Sequence, residues 1–224
     1  MTQPLSGQVA LITGASRGLG AATAVALAEQ GAAVVLLART VGGLEETDDK
    51  VRAVGGEAVL MPVDLSAPAK LVSLGPVLFQ RFGRLDIFVA NAAEVGQLSP
   101  LPHADPKHWD RVLAVNLTAN QRLAATLDPL LRAAPSGQAI FITDRAAVAH
   151  KAYWSAYGAT KAGLEQMAAA WALEVVPPLR IRTFDPGPMS TKLRGKAFPG
   201  ETPGTQPGPE GAAKRLVEFI LQDG

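Results

Sequence analysis

Six short apolar runs, separated by longer amphipathic segments, constrain the fold of this chain more than any other feature. The runs are 9–13, 33–38, 58–63, 85–90, 139–143 and 179–184, and the helical segments lie near 18–30, 42–54, 67–82, 107–133, 153–175 and 209–222. Continuous apolar runs of this length are typical of buried parallel strands, and the alternation predicts five strand-helix-strand units. We therefore expect an α/β fold with a doubly wound sheet that binds ligands beyond the carboxyl ends of its strands.

Residues 186–211 interrupt the alternation after the last strand. This segment contains six Pro and six Gly, a composition that disfavours both helix and strand pairing. We expect a mobile loop at the ligand edge of the sheet. It is either a lid over a substrate or a flexible linker to the last helix.

Composition narrows the classes of partner. The 224 residues, 48% of them hydrophobic, are enough for one domain over 1–224. With 21 basic and 20 acidic residues and no basic cluster, neither nucleic acid nor an anionic membrane is expected as a partner. Every apolar run is far shorter than the roughly 18 residues that span a bilayer. The chain has no Cys, and its N-terminus lacks the pattern of a secretory signal. We expect a cytoplasmic protein with a small-molecule partner.

The first run leads directly into the loop TGASRGLG and an Ala-rich helix. Gly14 allows a tight turn, Gly18 lets a pyrophosphate approach the backbone, and Gly20 lets the helix pack on the strand. The alternative is a tight turn with a purely structural role. The context favours a dinucleotide site, with cofactor contacts predicted at Gly14, Ser16, Arg17, Gly18, Leu19 and Gly20.

Arg39 stands at the end of the second run, where a fold that prefers NAD places an acidic residue for the ribose hydroxyls. A guanidinium there can bind a 2′-phosphate through two hydrogen bonds, and Arg17 in the glycine loop can approach the same phosphate. NADP(H) is therefore favoured, although NAD(H) is possible. The alternative is that both arginines are ordinary solvated charges.

With these features the sequence resembles the classical short-chain dehydrogenase/reductase family from about Gly7 to Thr191. Matching motifs are TGASRGLG, Asp64-Leu65, Asn91-Ala92-Ala93, Asn116 in VNLT, Tyr157 and Lys161 in YGATK, and Pro186-Gly187 with Thr191. The resemblance implies a Rossmann-type sheet of strand order 3-2-1-4-5-6. It also implies that the cofactor contacts Asp64, Leu65, Asn91, Ala92, Tyr157, Lys161, Pro186, Gly187 and Thr191.

The family interconverts a carbonyl and an alcohol with a tetrad of Asn, Ser, Tyr and Lys, which implies a substrate of that class. Tyr157 would donate the proton. A phenol has a pKa of about 10 unless a cation stabilises the phenolate, and Lys161 lies one helical turn on. The resemblance further implies that Lys161 holds the nicotinamide ribose, Asn116 anchors a water, and Thr191 holds the carboxamide.

Asp144 occupies the position of the family's Ser, 13 residues before Tyr157. Thr143 would face the other side of the strand, and Ser155 the wrong side of the helix, so neither replaces the missing hydroxyl. An ionised Asp144 about 4 Å from the phenol would oppose Lys161 by up to roughly 4 kcal/mol. A protonated Asp144 could donate the hydrogen bond that Ser gives. As a third possibility, Asp144 pairs with Arg145 or a substrate group and points away.

Glu94 is a second departure, because the family usually has Gly there. It could flank the reaction centre with Asp144 and share a proton with it, or it could turn into solvent. His103, His108 and His150 show no metal-ligand spacing, so no metal is expected.

The chain stops at LVEFILQDG, where family members usually continue into a seventh strand that forms part of a tetramer interface. We expect six strands and a homodimer through the helices near 107–133 and 153–175, with a monomer as the alternative. Two functions stay open at this point. One is an NADP(H)-dependent carbonyl reductase or alcohol dehydrogenase, and the other is a catalytically impaired protein that binds NADP(H) as a sensor or scaffold.

Overall fold

The computed structural model describes residues 3–202 and 204–222. Its strands are β1 (Val9–Thr13), β2 (Ala33–Ala38), β3 (Ala58–Pro62), β4 (Ile87–Ala90), β5 (Gln138–Ile142) and β6 (Arg180–Phe184). Its α-helices are α1 (Gly18–Glu29), α2 (Val41–Ala53), α3 (Pro68–Val72), α4 (Leu74–Phe82), α5 (Pro106–Leu113), α6 (Ala119–Arg132), α7 (Arg145–Val148), α8 (Ser155–Glu174), α9 (Lys192–Ala197) and α10 (Pro209–Leu221). A 3₁₀ turn covers Leu101–His103, and a π-helical turn covers Ala114–Thr118.

The six strands form one parallel sheet in the order β3-β2-β1-β4-β5-β6, which confirms the predicted topology. The chain leaves β1 in one direction through β2 to β3 and then returns to the other side of β1 for β4. This reversal opens a crevice at the carboxyl ends of β1 and β4, where ligands of doubly wound sheets bind.

Alternate residues of β1 supply two hydrophobic layers. Ala10 and Ile12 pack with α1 and α10 on one face, whereas Val9 and Leu11 pack with α4, α6 and α8 on the other. Successive side chains of a strand point to opposite faces, so an uninterrupted apolar run is what a sheet covered on both sides requires.

The two outermost strands are less buried than we predicted. No residue of β3 is fully buried, and in β6 only Ile181 is. A strand at a sheet edge has a neighbouring strand on one side only. Its other side is open, so its residues are less buried than those of the central strands. The expectation that all six runs are buried strands was therefore wrong for β3 and β6.

The predicted helix near 67–82 is interrupted at Ser73. Pro76 has no N–H to donate to the carbonyl of Val72, and the Thr126 hydroxyl donates to that carbonyl instead, at 3.0 Å. The same hydroxyl accepts from the Gly75 N–H at 3.2 Å. A side chain of α6 thus satisfies the backbone groups that the break leaves open.

The segment 186–211 contains more helix than its composition predicts. Residues Lys192–Ala197 form α9, and the Thr191 side chain caps it by accepting from the Arg194 N–H at 3.2 Å. Pro209 begins α10, because a proline fits the first turn of a helix, where no N–H is needed. The expectation of a loop without helix was wrong here.

Within residues 3–202 and 204–222, none of the helices combines the length and the apolar character that a membrane crossing needs.

Candidate active site

The glycine loop between β1 and α1 has the backbone shape that the sequence predicts. Gly14 and Gly18 have φ values of +67° and +55°, in the left-handed region that favours glycine. A β-carbon on Gly20 would overlap the Gly14 carbonyl and the Asn91 amide. The first N–H groups of α1 have no partner inside the helix and carry its positive dipole end, so this loop fits a pyrophosphate.

Asn91 and Ala92 follow β4 and form hydrogen bonds with Thr13, the last residue of β1 before this loop. The Asn91 amide donates to the Thr13 carbonyl at 2.8 Å, and the backbone N–H groups of Asn91 and Ala92 both donate to the Thr13 hydroxyl at 3.0 Å. Thr13 is fully buried. Both residues therefore fix the end of β1 against β4, which gives them a positioning role beside the cofactor contact predicted for them.

The other residues predicted around the loop differ in their surroundings. Leu19 is buried in the core, so only its backbone faces the crevice, while Arg17 is exposed at the cap of α1. Ser16 lies against Gly43 in α2. Thr191 approaches Gly18, with its methyl 3.5 Å from where a β-carbon of Gly18 would be. The structure thus brings Thr191 to the glycine loop.

Pro186 and Gly187 form the turn that leads from β6 to Thr191. Gly187 has a φ of +73°, and its N–H donates to the Asp185 carboxylate at 2.8 Å. Arg215 of α10 donates to the Pro186 carbonyl at 2.8 Å.

At the adenosine end, Arg39 is exposed and its Nη2 lies 2.9 Å from Oε1 of Glu94. Arg111 of α5 binds the same carboxylate through two hydrogen bonds of 2.9 and 3.0 Å. The Glu94 carboxylate pairs with these two arginines and not with Asp144, so the possibility that the two acids share a proton was wrong. The reason is Arg111, whose planar guanidinium matches a carboxylate and draws it towards Arg39.

Asp64 and Leu65 follow β3 at the same end. Leu65 is buried, and Asp64 accepts from the Ser66 N–H at 2.9 Å and from its hydroxyl at 2.8 Å. Burial favours a higher pKa for Asp64, but these hydrogen bonds, together with Arg39 and Arg111, bring its pKa below the ordinary value. Asp64 is therefore ionised at neutral pH.

Asn116 lies in the π-helical turn between α5 and α6 and is buried. Its amide group binds both sides of the Glu94 peptide, accepting from the N–H and donating to the carbonyl at 2.8 Å each. The amide also donates to Thr160 at 3.1 Å, and the carbonyl of Asn116 accepts from Asn120 at 2.7 Å. A π turn releases backbone carbonyls from the regular ladder, and Asn120 satisfies the one at Asn116.

Tyr157 and Asp144 face each other where β5 ends. The buried Tyr157 donates its hydroxyl to Oδ2 of Asp144 at 3.3 Å, which is long for this type of bond. Oδ1 of Asp144 accepts from the Ala147 N–H at 3.0 Å and caps α7. Burial, and then the charges of Asp144 and Asp185, raise the pKa of Tyr157 above its ordinary value. Asp144 points at the phenol, so the possibility that it points away was wrong.

Lys161 lies one turn further along α8, fully enclosed by protein. Its Nζ donates to the Ile142 carbonyl at 2.6 Å and lies 5.7 Å from the centre of the Tyr157 ring. Burial lowers the pKa of Lys161 to about 8, while Asp144, Asp185 and Glu165 act in the opposite direction. A lysine with this pKa can exchange a proton near neutral pH.

Thr143 and Ser155 do not supply the missing hydroxyl, as predicted. Thr143 lines a different cavity of about 550 Å³ between α8 and β6, together with Glu165 and Asp185. Ser155 faces α5, beside Asp105 and His108.

Sequence reasoning missed four residues of the site. Asp185 lies close enough to Tyr157 and Lys161 to affect the pKa of each, and its place directly before Pro186-Gly187 could have indicated this. Trp154 packs edge-on against Tyr157 with ring centres 5.7 Å apart, and Phe198 packs on Trp154 at 5.4 Å. These contacts bring the segment 186–211 beside the phenol. No sequence signal identified Arg111 as the partner of Glu94.

The three histidines are exposed, and the part of the chain that the structure describes contains no group of His, Asp and Glu that could hold a metal ion.

Comparison with known proteins agrees with this geometry. The family model for short chain dehydrogenases matches residues 8–202. The uncharacterized oxidoreductase YciK of Escherichia coli K12 is 30% identical over 202 residues, which is 89% of this chain and 80% of that protein.

Two solved structures are similar over nearly the whole chain. A metagenomic short-chain oxidoreductase in complex with NADP has a TM-score of 0.84 and 34% identity, with 98% of this chain and 92% of that one covered. A short chain dehydrogenase from Escherichia coli CFT073 complexed with NADPH has a TM-score of 0.90 and 29% identity, with 100% and 94% covered. By its sequence motifs, its sheet and these matches, the chain belongs to the short chain dehydrogenase family and is an oxidoreductase by fold and ancestry.

Proposed function

We propose that this protein is an NADP(H)-dependent oxidoreductase that interconverts a carbonyl and an alcohol, with Tyr157 as the acid/base. The observation that carries the proposal is the buried pair of Tyr157 and Lys161 on α8, at the sheet edge where the glycine loop opens. Bound NADPH would supply the hydride for the carbonyl carbon, and NADP⁺ would accept one in the reverse direction.

The proposed roles follow from the surroundings of each side chain. Tyr157 gives its proton to the carbonyl oxygen as the alcohol forms. Lys161, with a pKa of about 8, holds a positive charge beside the phenolate and can return a proton to it. Asn116 keeps the floor of the site rigid through its bonds with the Glu94 peptide.

Arg39 supports the preference for NADP(H). It stands at the end of β2, and a guanidinium there suits a 2′-phosphate. The similar structures from the metagenome and from Escherichia coli contain NADP and NADPH, respectively. The contribution of Arg17 to the same phosphate stays a prediction. For the loop glycines we propose the contacts with the cofactor that the sequence predicts.

The charge of Asp144 decides whether the site works. An ionised Asp144 accepts a hydrogen bond from the Tyr157 hydroxyl, which turns the phenol away from a substrate oxygen. Burial, and then the charges of Asp144 and Asp185, raise the pKa of Tyr157. A protonated Asp144 can instead donate to the substrate oxygen or to the phenolate. We propose that turnover proceeds through the protonated form.

This role can be tested by following NADPH absorbance with a panel of carbonyl compounds between pH 5 and 9. At each pH, Asp144→Asn and Asp144→Ser, which carry no charge and can donate a hydrogen bond, should turn over at least as fast as wild type. Asp128→Asn, which removes an acidic residue from α6 far from the site, should keep the wild-type profile. Slower turnover in both Asp144→Asn and Asp144→Ser than in wild type would contradict the proposed form.

One observation favours a second function. The Tyr157 hydroxyl already has an acceptor in Asp144, and its raised pKa makes it a weak acid. A protein that binds NADP(H) without hydride transfer, as a sensor or scaffold, fits this arrangement. Wild-type turnover of zero at every pH, with measurable turnover in Asp144→Ser, would support this function over the first.

The homodimer through the helices near 107–133 and 153–175 stays a prediction. Leu173, at the end of α8, is 89% exposed, which is consistent with a partner surface there. Sedimentation of wild type and Leu173→Glu tests it, and a monomer in both samples contradicts it.

A further inference from the structure

Glu94 connects two arginines at the adenosine end of the site. Its Oε1 lies 2.9 Å from Arg39 and accepts from Arg111 at 3.0 Å, while its Oε2 accepts from Arg111 at 2.9 Å. The sequence resemblance predicts a glycine at position 94, which would leave Arg39 without this carboxylate. The family pattern therefore does not account for this contact.

Glu94 is held more firmly by Asn116 and Arg111 than by Arg39. The Glu94 peptide is bound on both sides by the buried Asn116, and Arg111 grips both carboxylate oxygens. Arg39 contributes one close contact, and its side chain is 52% exposed. Arg39 is thus the partner that can leave, whereas Glu94 stays in place.

The charges around Arg39 are balanced without a ligand. Glu94 and the ionised Asp64 contribute two negative charges, and Arg39 and Arg111 contribute two positive ones. A 2′-phosphate brings about two more negative charges into this group, whereas a 2′-hydroxyl brings none. The fixed carboxylate therefore opposes NADPH and has little electrostatic effect on NADH.

We propose that Glu94, fixed by Arg111, sets the discrimination between NADPH and NADH by competing with the 2′-phosphate for Arg39. This inference rests on the proposed function, since it requires that a pyridine dinucleotide binds at the glycine loop. Arg39 provides the attraction for the phosphate, Glu94 limits it, and Arg111 determines how much of the Glu94 charge reaches Arg39. The protein accordingly binds NADPH with a smaller advantage over NADH than Arg39 alone would give.

The test is calorimetric titration of wild type and variants with NADPH, NADH, 2′,5′-ADP and 5′-ADP. Glu94→Gln keeps the shape and the backbone bonds to Asn116 but removes the charge. We expect it to bind NADPH and 2′,5′-ADP about 10-fold more tightly, with NADH and 5′-ADP changed less than 2-fold. Asp128→Asn, which removes the partner of Arg132 on α6, should leave all four dissociation constants unchanged.

Arg111→Gln provides the opposite change. Without Arg111 the Glu94 carboxylate has Arg39 as its remaining arginine partner, so we expect NADPH to bind about 5- to 10-fold more weakly. In the double variant Glu94→Gln with Arg111→Gln this loss should shrink to less than 3-fold, because the competing charge has gone. An equal loss in both backgrounds would mean that Arg111 acts only through its own charge and would overturn the inference.

The outcomes separate this inference from the function on which it rests. If wild type binds the nucleotides and Glu94→Gln leaves the NADPH to NADH ratio unchanged, Glu94 does not compete for Arg39 and the inference fails alone. If wild type gives no heat with any of the four ligands, the proposed function fails with it. Thermal melting of each variant shows whether a loss of binding is due to loss of folding. A folded Glu94→Ala, which also lacks the charge, should change the NADPH to NADH ratio in the same direction as Glu94→Gln.

Discussion

At the carboxyl ends of β1 and β4 the site depends on the conformation of the backbone. At the ends of β5 and β6 it depends on charged side chains that are buried or half-buried. In the first region, glycines with positive φ and the hydrogen bonds of Thr13 fix a loop whose free N–H groups suit a phosphate. In the second, burial and the charges of Asp144 and Asp185 determine how readily Tyr157 loses a proton, and the same two charges oppose the effect of burial on the pKa of Lys161. The first region keeps the family motif, and the second departs from it.

This difference means that the two parts of the site tolerate amino-acid substitutions to different degrees. A backbone cradle depends on residue size and conformation, so a single methyl group in the wrong place destroys it. A proton network depends on the sum of charges, so one substitution can be offset by protonation or by another charge. Binding should thus respond to changes around β1, and turnover to changes around β5.

The sharpest test of this division is Tyr157→Phe. We expect turnover with any accepted carbonyl substrate to fall about 10²- to 10⁴-fold, because the proton donor is lost, while the dissociation constant for NADPH changes less than 3-fold. Stopped-flow absorbance and calorimetry measure the two quantities. Tyr153→Phe, at the exposed second tyrosine, is the matched control and should behave as wild type. Retained turnover in Tyr157→Phe would mean that another group is the acid.

Gly20→Ala tests the other region. The added β-carbon would overlap the Gly14 carbonyl and the Asn91 amide, so the loop must shift. We expect NADPH to bind at least about 100-fold more weakly and the protein to lose about 1–3 kcal/mol of stability. The control is Gly42→Ala, which has open space around it in α2. If calorimetry finds equal NADPH affinity in both variants, the cradle is not where the cofactor binds.

Lys161 should give the catalytic region a stability that depends on pH. Its pKa is about 8 in the folded protein, against 10.5 for an unburied lysine, so the unfolded chain binds more protons between these values. Folding stability contributed by this group therefore rises with pH from about 8 to 10.5, by about 3 kcal/mol in total. Urea unfolding at pH 7.5 and pH 9.5 measures the change.

Lys161→Met should remove that rise, while Lys70→Met, at an exposed lysine in α3, should keep it. An identical pH slope in wild type and Lys161→Met would show that Lys161 is solvated in the folded protein.

The smallest effect is expected from Thr13→Val. The buried hydroxyl of Thr13 accepts from the N–H groups of Asn91 and Ala92, and valine keeps the shape but leaves both donors without that acceptor. We expect a loss of about 1–2 kcal/mol in unfolding free energy and a weaker NADPH interaction, with Tyr157 chemistry unchanged. Denaturant titration checks the first value. A change in turnover at saturating NADPH would break the proposed separation of the two regions.

The glycine loop could be predicted because it depends on residue types at fixed spacing, and the sheet order because the motifs indicated a family whose strand order is known. An apolar run of five or six residues and a Gly at a left-handed position carry their meaning locally. The low burial of β3 and β6 is not visible in their apolar runs, because it follows from the strand order, which places both strands at the sheet edges.

The side-chain partners of the site were less accessible to sequence reasoning. Glu94 points to Arg39 because Arg111, 17 residues later, and Asn116, 22 residues later, hold it there. The helix α9 forms despite its Pro- and Gly-rich surroundings because Thr191 caps it. Asp144 was recognised as a departure from the family, but its orientation towards Tyr157 needed the three-dimensional arrangement of β5, α7 and α8.

The grip of Asn116 on both sides of the Glu94 peptide has a practical meaning for redesign of the protein. A new side chain at position 94 leaves these bonds in place, because Asn116 holds the backbone N–H and carbonyl of residue 94 and not its carboxylate, and through Thr160 the same amide stays bonded to the helix that carries the proton donor. Coenzyme choice can then be changed at this one position with the support of the proton donor kept, because the side chain and the backbone of residue 94 act on different parts of the site.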